Sequence, residues 1–308
     1  MRLVEPCRVD GAHAFGATSV SWVPGTTRMV TASLDETVKE WEDVPDEGPR
    51  LLHEYHGHGM GVVSVAVDAT GEYVASSSLD SVVRVWSLSD HSTVAMIQAD
   101  ASETWHLAFA PLPAGPGDGG QVLAVAGGTR GGVVVWRVRR DESAEFVAEL
   151  PLPPPASVDR SAAGAAAAAA AASGGDAAAA TGSPHRFALS IAYAPDGSRV
   201  ACGASDGTVA VWDCTTLQPL CVCEGHTKPV RSLSFMPDCS TLLTASDDMH
   251  VNMHDVDDGG AVLESFSGHN GCVLSVAAHP SGIAFARCGQ TILWRGGGMP
   301  GANVAVEA

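Results

Sequence analysis

CGASDGTVAVWD, residues Cys202–Asp213, is a short polar run that turns at Asp206 and Gly207 and enters a β-branched strand ending on Trp212. Variants of it recur: TASLDETVKEW ends at Trp41, SSSLDSVVRVW at Trp86 and TASDDMHVNMH at His254. In each, an Asp (Asp35, Asp80, Asp206, Asp248) stands six residues before the closing ring. Upstream, His13, His58 and His226 precede Asp35, Asp80 and Asp248 by one constant separation. A fixed period of this kind marks stacked supersecondary units. Between the landmarks lie alternating apolar runs such as VRSLSF and TLLTAS, split by turn signals such as PDG and SDG, so each unit reads as four antiparallel strands. Such a sheet must bury two partly apolar faces against similar neighbours.

A glycine-histidine pair, a strand, Ser-x-Asp and then Val-x-Val-Trp-Asp together resemble the WD-repeat β-propeller signature, over roughly residues 11 to 280. The runs SLDETVKEW, EYVASSSLDSVVRVW, LAVAGG, VACGASDG, GHTKPVRSLSF and SDDMHVNMHD are similar to one subfamily. It is the WD-repeat subunit shared by the superkiller complex and the polymerase-associated-factor complex. The resemblance implies an all-β, seven-bladed fold acting as a non-enzymatic platform. It implies as partners the tetratricopeptide scaffold and RNA helicase of the superkiller complex, in exosome-dependent mRNA decay. It also implies the subunits of the polymerase-associated-factor complex, in transcription elongation and histone modification. The alternative is a WD-repeat substrate adaptor of a ubiquitin ligase, which needs a docking motif outside the repeats, and none is evident.

The 308 residues carry 17 basic and 35 acidic side chains, a net charge of −18. That field repels polyanions, so direct binding to nucleic acid is not expected, and the densest basic run is only RVRR, Arg137–Arg140. No apolar run suggests a membrane span, and eight scattered cysteines with no CxxC pair point to a reducing compartment, the nucleus and cytoplasm.

In chain order, residues 1–12 are expected to give a closing N-terminal strand. Residues 13–150 then hold blades one to three, and blade three has Arg130 in place of its Asp. The interval from Trp136 to Trp212 is far longer than that from Trp41 to Trp86. The surplus is a Pro-rich, then Ala-rich low-complexity insertion at 151–183. Blades four and five occupy 184–267. Residues 268–308 hold a degenerate sixth blade, with Cys288 at the Asp position, followed by an aberrant C-terminus, and the seventh blade is missing. The tail NVAVEA either pairs as a last strand, or leaves the ring open, or reflects a splicing variant or gene-model error; the last is the preferred reading.

A Ser, His and Asp grouping suggests a hydrolytic triad, yet its repetition argues for structure. The expected blade network is His13, Ser33, Asp35 and Trp41; His58, Ser78, Asp80 and Trp86; Ser205, Asp206 and Trp212; and His226, Ser246 and Asp248 with His254. In it the Asp takes turn amides and the His, the His bonds the Ser hydroxyl, and that hydroxyl reaches the ring. His53, His56 and His58 lack zinc spacing, Cys221 and Cys223 read as core thiols, and GPGDGG, Gly115–Gly120, lacks the strand and helix of a dinucleotide site. No catalytic residue, metal, cofactor or small-molecule site is therefore expected. What remains is a partner-binding face on the first residues of the inner strands: Thr18, Val63, Trp105, Leu189, Arg231 and Leu274.

Overall fold

The structure is a computed structural model, and it describes residues 9, 11–44, 48–98, 106–111, 120–127, 131–139, 142–153, 186–279, 281–282, 284–288, 291–296 and 303–307. Among them every regular element is a strand, and the strands form six four-stranded antiparallel sheets in simple chain order. The first sheet is β1 (Ala17–Trp22), β2 (Arg28–Ser33), β3 (Val38–Val44) and β4 (Gly48–Tyr55), and the second is β5 (Val62–Val67), β6 (Tyr73–Ser78), β7 (Val82–Ser87) and β8 (Thr93–Gln98). The third is β9 (Leu107–Phe109), β10 (Gln121–Ala126), β11 (Val133–Arg139) and β12 (Glu142–Leu150). The fourth is β13 (Ala188–Tyr193), β14 (Arg199–Ala204), β15 (Val209–Asp213) and β16 (Pro219–Cys223). The fifth is β17 (Val230–Phe235), β18 (Thr241–Ser246), β19 (Val251–Asp255) and β20 (Ala261–Phe266). The sixth is β21 (Ser275–Ala278), β22 (Ala284–Cys288), β23 (Thr291–Gly296) and β24 (Asn303–Glu307).

The all-β expectation is met. The tail residues Asn303–Glu307 pair antiparallel with β23, with Ile292 opposite Val306 and Trp294 opposite Val304. Most of the expected N-terminal strand and nearly all of the insertion, together with Trp105, Arg130, Gly115 and Gly117, lie outside the described residues.

The chain divides into two compact units, one of Met1–Thr129 with Val134–Glu149 and one of Arg130–Val133 with Leu150–Ala308. In the first unit, Val23, Val30, Ala32, Val38 and Tyr55 of the first sheet pack on Val62, Val65, Val74, Trp86 and Leu88 of the second. The opposite face of the second sheet, with Tyr73, Val83, Val85 and Ile97, packs on Leu107, Phe109, Leu123 and Val125 of the third. The second unit repeats this, with Val209, Val211, Cys221 and Cys223 against Val230, Leu233, Phe235 and Leu242. Leu243, Ala245, Val251 and Phe266 then pack against Val273, Val276 and Phe285. Alternation along each strand sends one set of side chains to each face, and so one sheet serves two cores. Cys221 and Cys223 are core residues, as their place on one strand face suggests.

Hydroxyls on the innermost strands link neighbouring sheets. Thr18 Oγ1 donates to the Val62 carbonyl (2.7 Å) and Ser190 Oγ to the Val230 carbonyl (3.0 Å). Ser21 Oγ accepts the Val67 amide (3.2 Å), and Ser234 Oγ accepts the Ala278 amide (3.0 Å).

One polar cluster is buried in the first unit. Glu40 on β3 is fully buried; its Oε1 accepts Arg28 Nη1 (2.7 Å) and its Oε2 accepts the Tyr55 hydroxyl (3.1 Å). The Tyr55 oxygen also meets His91 Nδ1 (2.9 Å) from the second sheet, and the His91 ring stacks on His53 at 4.0 Å. Burial, then the Glu40 charge, pushes the Tyr55 hydroxyl far above its ordinary range. Burial, then the neighbouring His91, pushes His53 down.

Candidate functional site

The turn between the second and third strands of a repeat places a residue in the left-handed region: Glu36 (φ 71°), Ser81 (62°), Gly207 (90°) and Met249 (73°). Only Gly207 takes that conformation without a Cβ penalty, and no Cβ would fit there, since it would stand 2.6 Å from the His226 carbonyl. At all four turns the preceding Asp holds the backbone. Oδ1 of Asp35, Asp80, Asp206 and Asp248 accepts the amide two residues on, at 3.1, 2.9, 3.0 and 3.0 Å. This is why the sequence needs Asp at that place.

The other carboxylate oxygen reaches back to the histidine. Asp35, Asp80 and Asp248 Oδ2 stand 2.9, 3.3 and 2.8 Å from Nδ1 of His13, His58 and His226. They also accept the amides of Ala14, Gly59 and Thr227. Burial alone would raise these carboxyls, but the hydrogen bonds outweigh it and hold all three below the ordinary carboxylate range. With the Asp ionised, Nδ1 carries the proton and Nε2 accepts. The hydroxyl it meets is Thr31 (2.8 Å), Ser76 (2.7 Å) or Thr244 (2.7 Å). In the first sheet Thr31 then accepts Trp41 Nε1–H at 2.9 Å.

The expected relay through Ser33, Ser78 and Ser246 is therefore corrected. Those serines lie two residues further along the same strand face, beside the turn. Their hydroxyls accept the amides of Asp35, Asp80 and Asp248 and donate to carbonyls of the histidine loop, such as Met60 O and Lys228 O. The relay hydroxyl stands ten residues before the closing ring, a spacing present in the sequence but masked by the neighbouring serine. In the fourth sheet the network is reduced. Cys202 takes the hydroxyl's place, and Asp206 Oδ2 meets an arginine, Arg186, whose Nε lies 2.5 Å away but outside hydrogen-bond alignment, while Ser205 Oγ accepts the Phe187 amide. Trp212 remains buried there. In the fifth sheet His254 replaces the tryptophan, with Nε2 3.1 Å from Thr244 and Nδ1 3.3 Å from the Gly260 carbonyl.

Asp80→Ala strips three donors of their acceptor: the amides of Gly59 and Val82 and the His58 ring. A loss of about 1–3 kcal/mol is expected, measured by urea unfolding. A midpoint equal to that of the unmutated chain would refute the network's structural role.

The candidate partner face divides between the units. In the first, Thr18 is exposed, its hydroxyl committed to Val62, and Val63 is half-buried. In the second, Leu274 is exposed, but Leu189 is buried and presents nothing to a partner. Arg231 is exposed yet already engaged, with Nε and Nη2 at 2.9 and 2.7 Å from Asp247 Oδ2.

Sequence reasoning missed a patch at the turn end of the first unit. Phe15 and Leu34 of the first repeat, and Met60 and Leu79 of the second, are exposed. Leu34 lies directly on Gly61, where an added Cβ would stand 2.9 Å from its Cδ2, and the Leu79 amide bonds the Gly61 carbonyl at 3.1 Å. The patch therefore runs from one repeat to the next. Its signal was the leucine in both Ser-Leu-Asp turns, where a polar residue is the norm.

The family model for the WD domain, G-beta repeat, matches residues 5–42, 49–87, 180–213 and 217–255. WD repeat-containing protein VIP3 of Arabidopsis thaliana is 38% identical over 241 residues, 77% of this chain and 65% of that protein. WD repeat-containing protein SL1-17 of Schistosoma mansoni is 30% identical over 269 residues, 84% of this chain and 73% of that protein. The U5 small nuclear ribonucleoprotein 40 kDa protein of Mus musculus is 35% identical over 78 residues, 24% of this chain and 22% of that protein. The chain thus spans just under two thirds of the plant relative's length. With the recurring turn, the His–Asp relay and the four-stranded sheets, these matches place the chain in the WD-repeat family of β-propeller proteins.

Proposed function

We propose that the chain is a non-enzymatic platform on which other proteins assemble, and that the patch of Phe15, Leu34, Met60 and Leu79 is its main docking surface. The carrying observation is that two adjacent repeats expose large apolar side chains at the same two positions, where the fifth sheet carries Lys228 and Asp247. Apolar surface that runs across a repeat boundary is the usual mark of a protein interface. The repeat carboxylates and histidines are committed to turns, which supports a scaffold over a catalyst. The finer reading is a subunit shared by the superkiller and polymerase-associated-factor complexes, working in nucleus and cytoplasm. It rests on the resemblance of the motifs quoted above and on an acidic surface unsuited to binding RNA directly.

The test is affinity purification of the tagged chain from separate nuclear and cytoplasmic extracts, alongside a Leu34→Glu/Leu79→Glu variant and Arg231→Glu. An RNA helicase with a tetratricopeptide protein, or elongation-factor subunits, should co-purify with the unmutated chain. The double variant should lose them with its melting temperature unchanged. Arg231→Glu should have the smaller effect, since the guanidinium is already paired. Retention of every partner by the double variant would reject the patch, and recovery of ubiquitin-ligase subunits instead would reject the complexes named.

A further inference from the structure

The pairing of the third strand with the fourth gives the same three places in each sheet. In the second sheet they hold Val85 opposite Ala95, and Ile97 opposite Val83; in the fourth, Val211 opposite Cys221, and Cys223 opposite Val209. All of these are buried in apolar inter-sheet cores. In the first sheet the three places hold Glu40 opposite His53, and Tyr55 opposite Val38. The second sheet adds a fourth group to this joint. His91 stands in the left-handed region of the turn before β8 (φ 58°), where the turns before β16 and β20 hold Leu217 (57°) and Gly259 (65°). Neither the strand pairing nor the turn requires a titrating side chain here, yet the joint between the first and second sheets has gathered four.

The two histidines differ in what a proton does to them. The Tyr55 hydroxyl donates to Glu40 Oε2 (3.1 Å), so its oxygen accepts His91 Nδ1–H (2.9 Å), and Nε2 is the His91 nitrogen left to take a proton. A proton there keeps the Tyr55 bond and sets a positive ring with its Nδ1 3.7 Å from Glu40 Oε2. His53 gains nothing comparable. Its ring nitrogens make no hydrogen bond among the described residues, and its face lies 4.0 Å from that of His91 at an interplanar angle of 8°. The carboxylates around it are already engaged: Glu40 with Arg28, Glu54 beside Lys39 Nζ and His56 Nε2 (both 3.6 Å), and Asp90 with Ser92. Burial, then His91, outweighs the pull of Glu40 and Glu54 and holds His53 below the ordinary imidazole range. One charged ring on a neutral one is attracted to its face, whereas two charged rings face to face repel.

We infer that the joint between the first and second sheets is a proton-sensitive seam, closed while at most one of the stacked His53 and His91 rings is charged and parted when both are. The stack refuses a proton that a parted His53 takes, so closure is complete above the ordinary 6.5 and weakens as the pH falls below it. The segments set free are the end of β4 and the turn that carries His91. The apolar residues at the same places in the second and fourth sheets carry no group that answers to acid in this range.

The experiment is hydrogen–deuterium exchange of the full-length chain at about pH 7 and about pH 5, across the range where imidazoles titrate, with exchange times scaled for the intrinsic pH dependence of amide exchange. In the unmutated chain the amides of residues 53–55 and 87–93 should lose about tenfold in protection on acidification, the effect of one pKa unit. His53→Phe keeps an aromatic face on His91 without a proton site, and His91→Leu takes the residue of the fourth sheet's turn. Each variant should hold its protection in both segments at the lower pH. Segments protected equally at both pH values in the unmutated chain, or a loss in either variant as large as in the original, would overturn the inference. Thermal melts at about pH 7 are the folding control, and either variant alone carries the test if the other does not fold.

Discussion

Arg28→Met destabilises the protein by about 3 kcal/mol, the largest effect expected of any single substitution in the first sheet. Its guanidinium faces a carboxyl with no exposure at all, and removing it leaves Glu40 in the core with the Tyr55 hydroxyl at 3.1 Å and His91 Nδ1 at 3.7 Å beside it. Loss of one partner of a buried pair costs about 3–5 kcal/mol, and the low end applies because the Arg28 side chain keeps 27% exposure and water shares part of the load. The double variant Arg28→Met/Glu40→Leu is expected to recover most of the loss, since an apolar pair of similar volume costs the core little. Urea unfolding of the single and double variants measures both. An Arg28→Met chain within about 0.5 kcal/mol of the original, the range of ordinary surface changes, would show that the ion pair does not hold the sheet.

The second large effect is on acid stability. Burial pushes the His254 ring down from 6.5 to about 4, and His106 likewise to about 4. Burial also lowers His58, against the pull of Asp80. Between pH 6.5 and about 4 the unfolded chain binds protons that the folded chain refuses. Stability is therefore complete above pH 6.5 and falls as the pH drops toward 4, by up to about 3 kcal/mol for His254 alone. The carboxyls of Asp35, Asp80 and Asp248 act in a lower window, since their lowered values favour the fold above the ordinary 3.8 and lose that effect below it. His254→Trp replaces the titrating ring with an indole N–H donating to Thr244, as Trp41 donates to Thr31. Urea midpoints measured across this range should then show a slope shallower by about one proton. A slope unchanged by the substitution would remove His254 from the account.

The spacing of Asp35, Asp80, Asp206 and Asp248 from their closing rings made the turn legible, because an Asx turn depends on a side chain two residues from its amide and leaves a local trace. The constant His–Asp separation was legible for the same reason: one hairpin of constant length divides the two. The relay hydroxyl was misplaced because Thr31 and Ser33 share a strand face, and alternation cannot distinguish positions two apart. The Arg28–Glu40 pair left no trace in the sequence, since nothing local shows that β2 and β3 set these charges on a buried face. Leu189 was placed with Arg231 by its position on the inner strand, and position along a strand does not show which side chains fold out of water. The pairing of Arg231 with Asp247 joins two strands, so only the folded hairpin brings them together.

The hydroxyls that join one sheet to the next address main-chain groups: Thr18 the carbonyl of Val62, Ser190 that of Val230, Ser232 the amide of Val276. A peptide group is the same whatever side chain it bears. A blade copied within a gene and inserted beside its parent thus meets a ready partner from the first generation, with no matching change required of its neighbour. Sequence drift inside a blade leaves these main-chain couplings in place as long as one small hydroxyl residue survives near the start of its innermost strand, whereas the apolar cores between sheets must still match side chain to side chain.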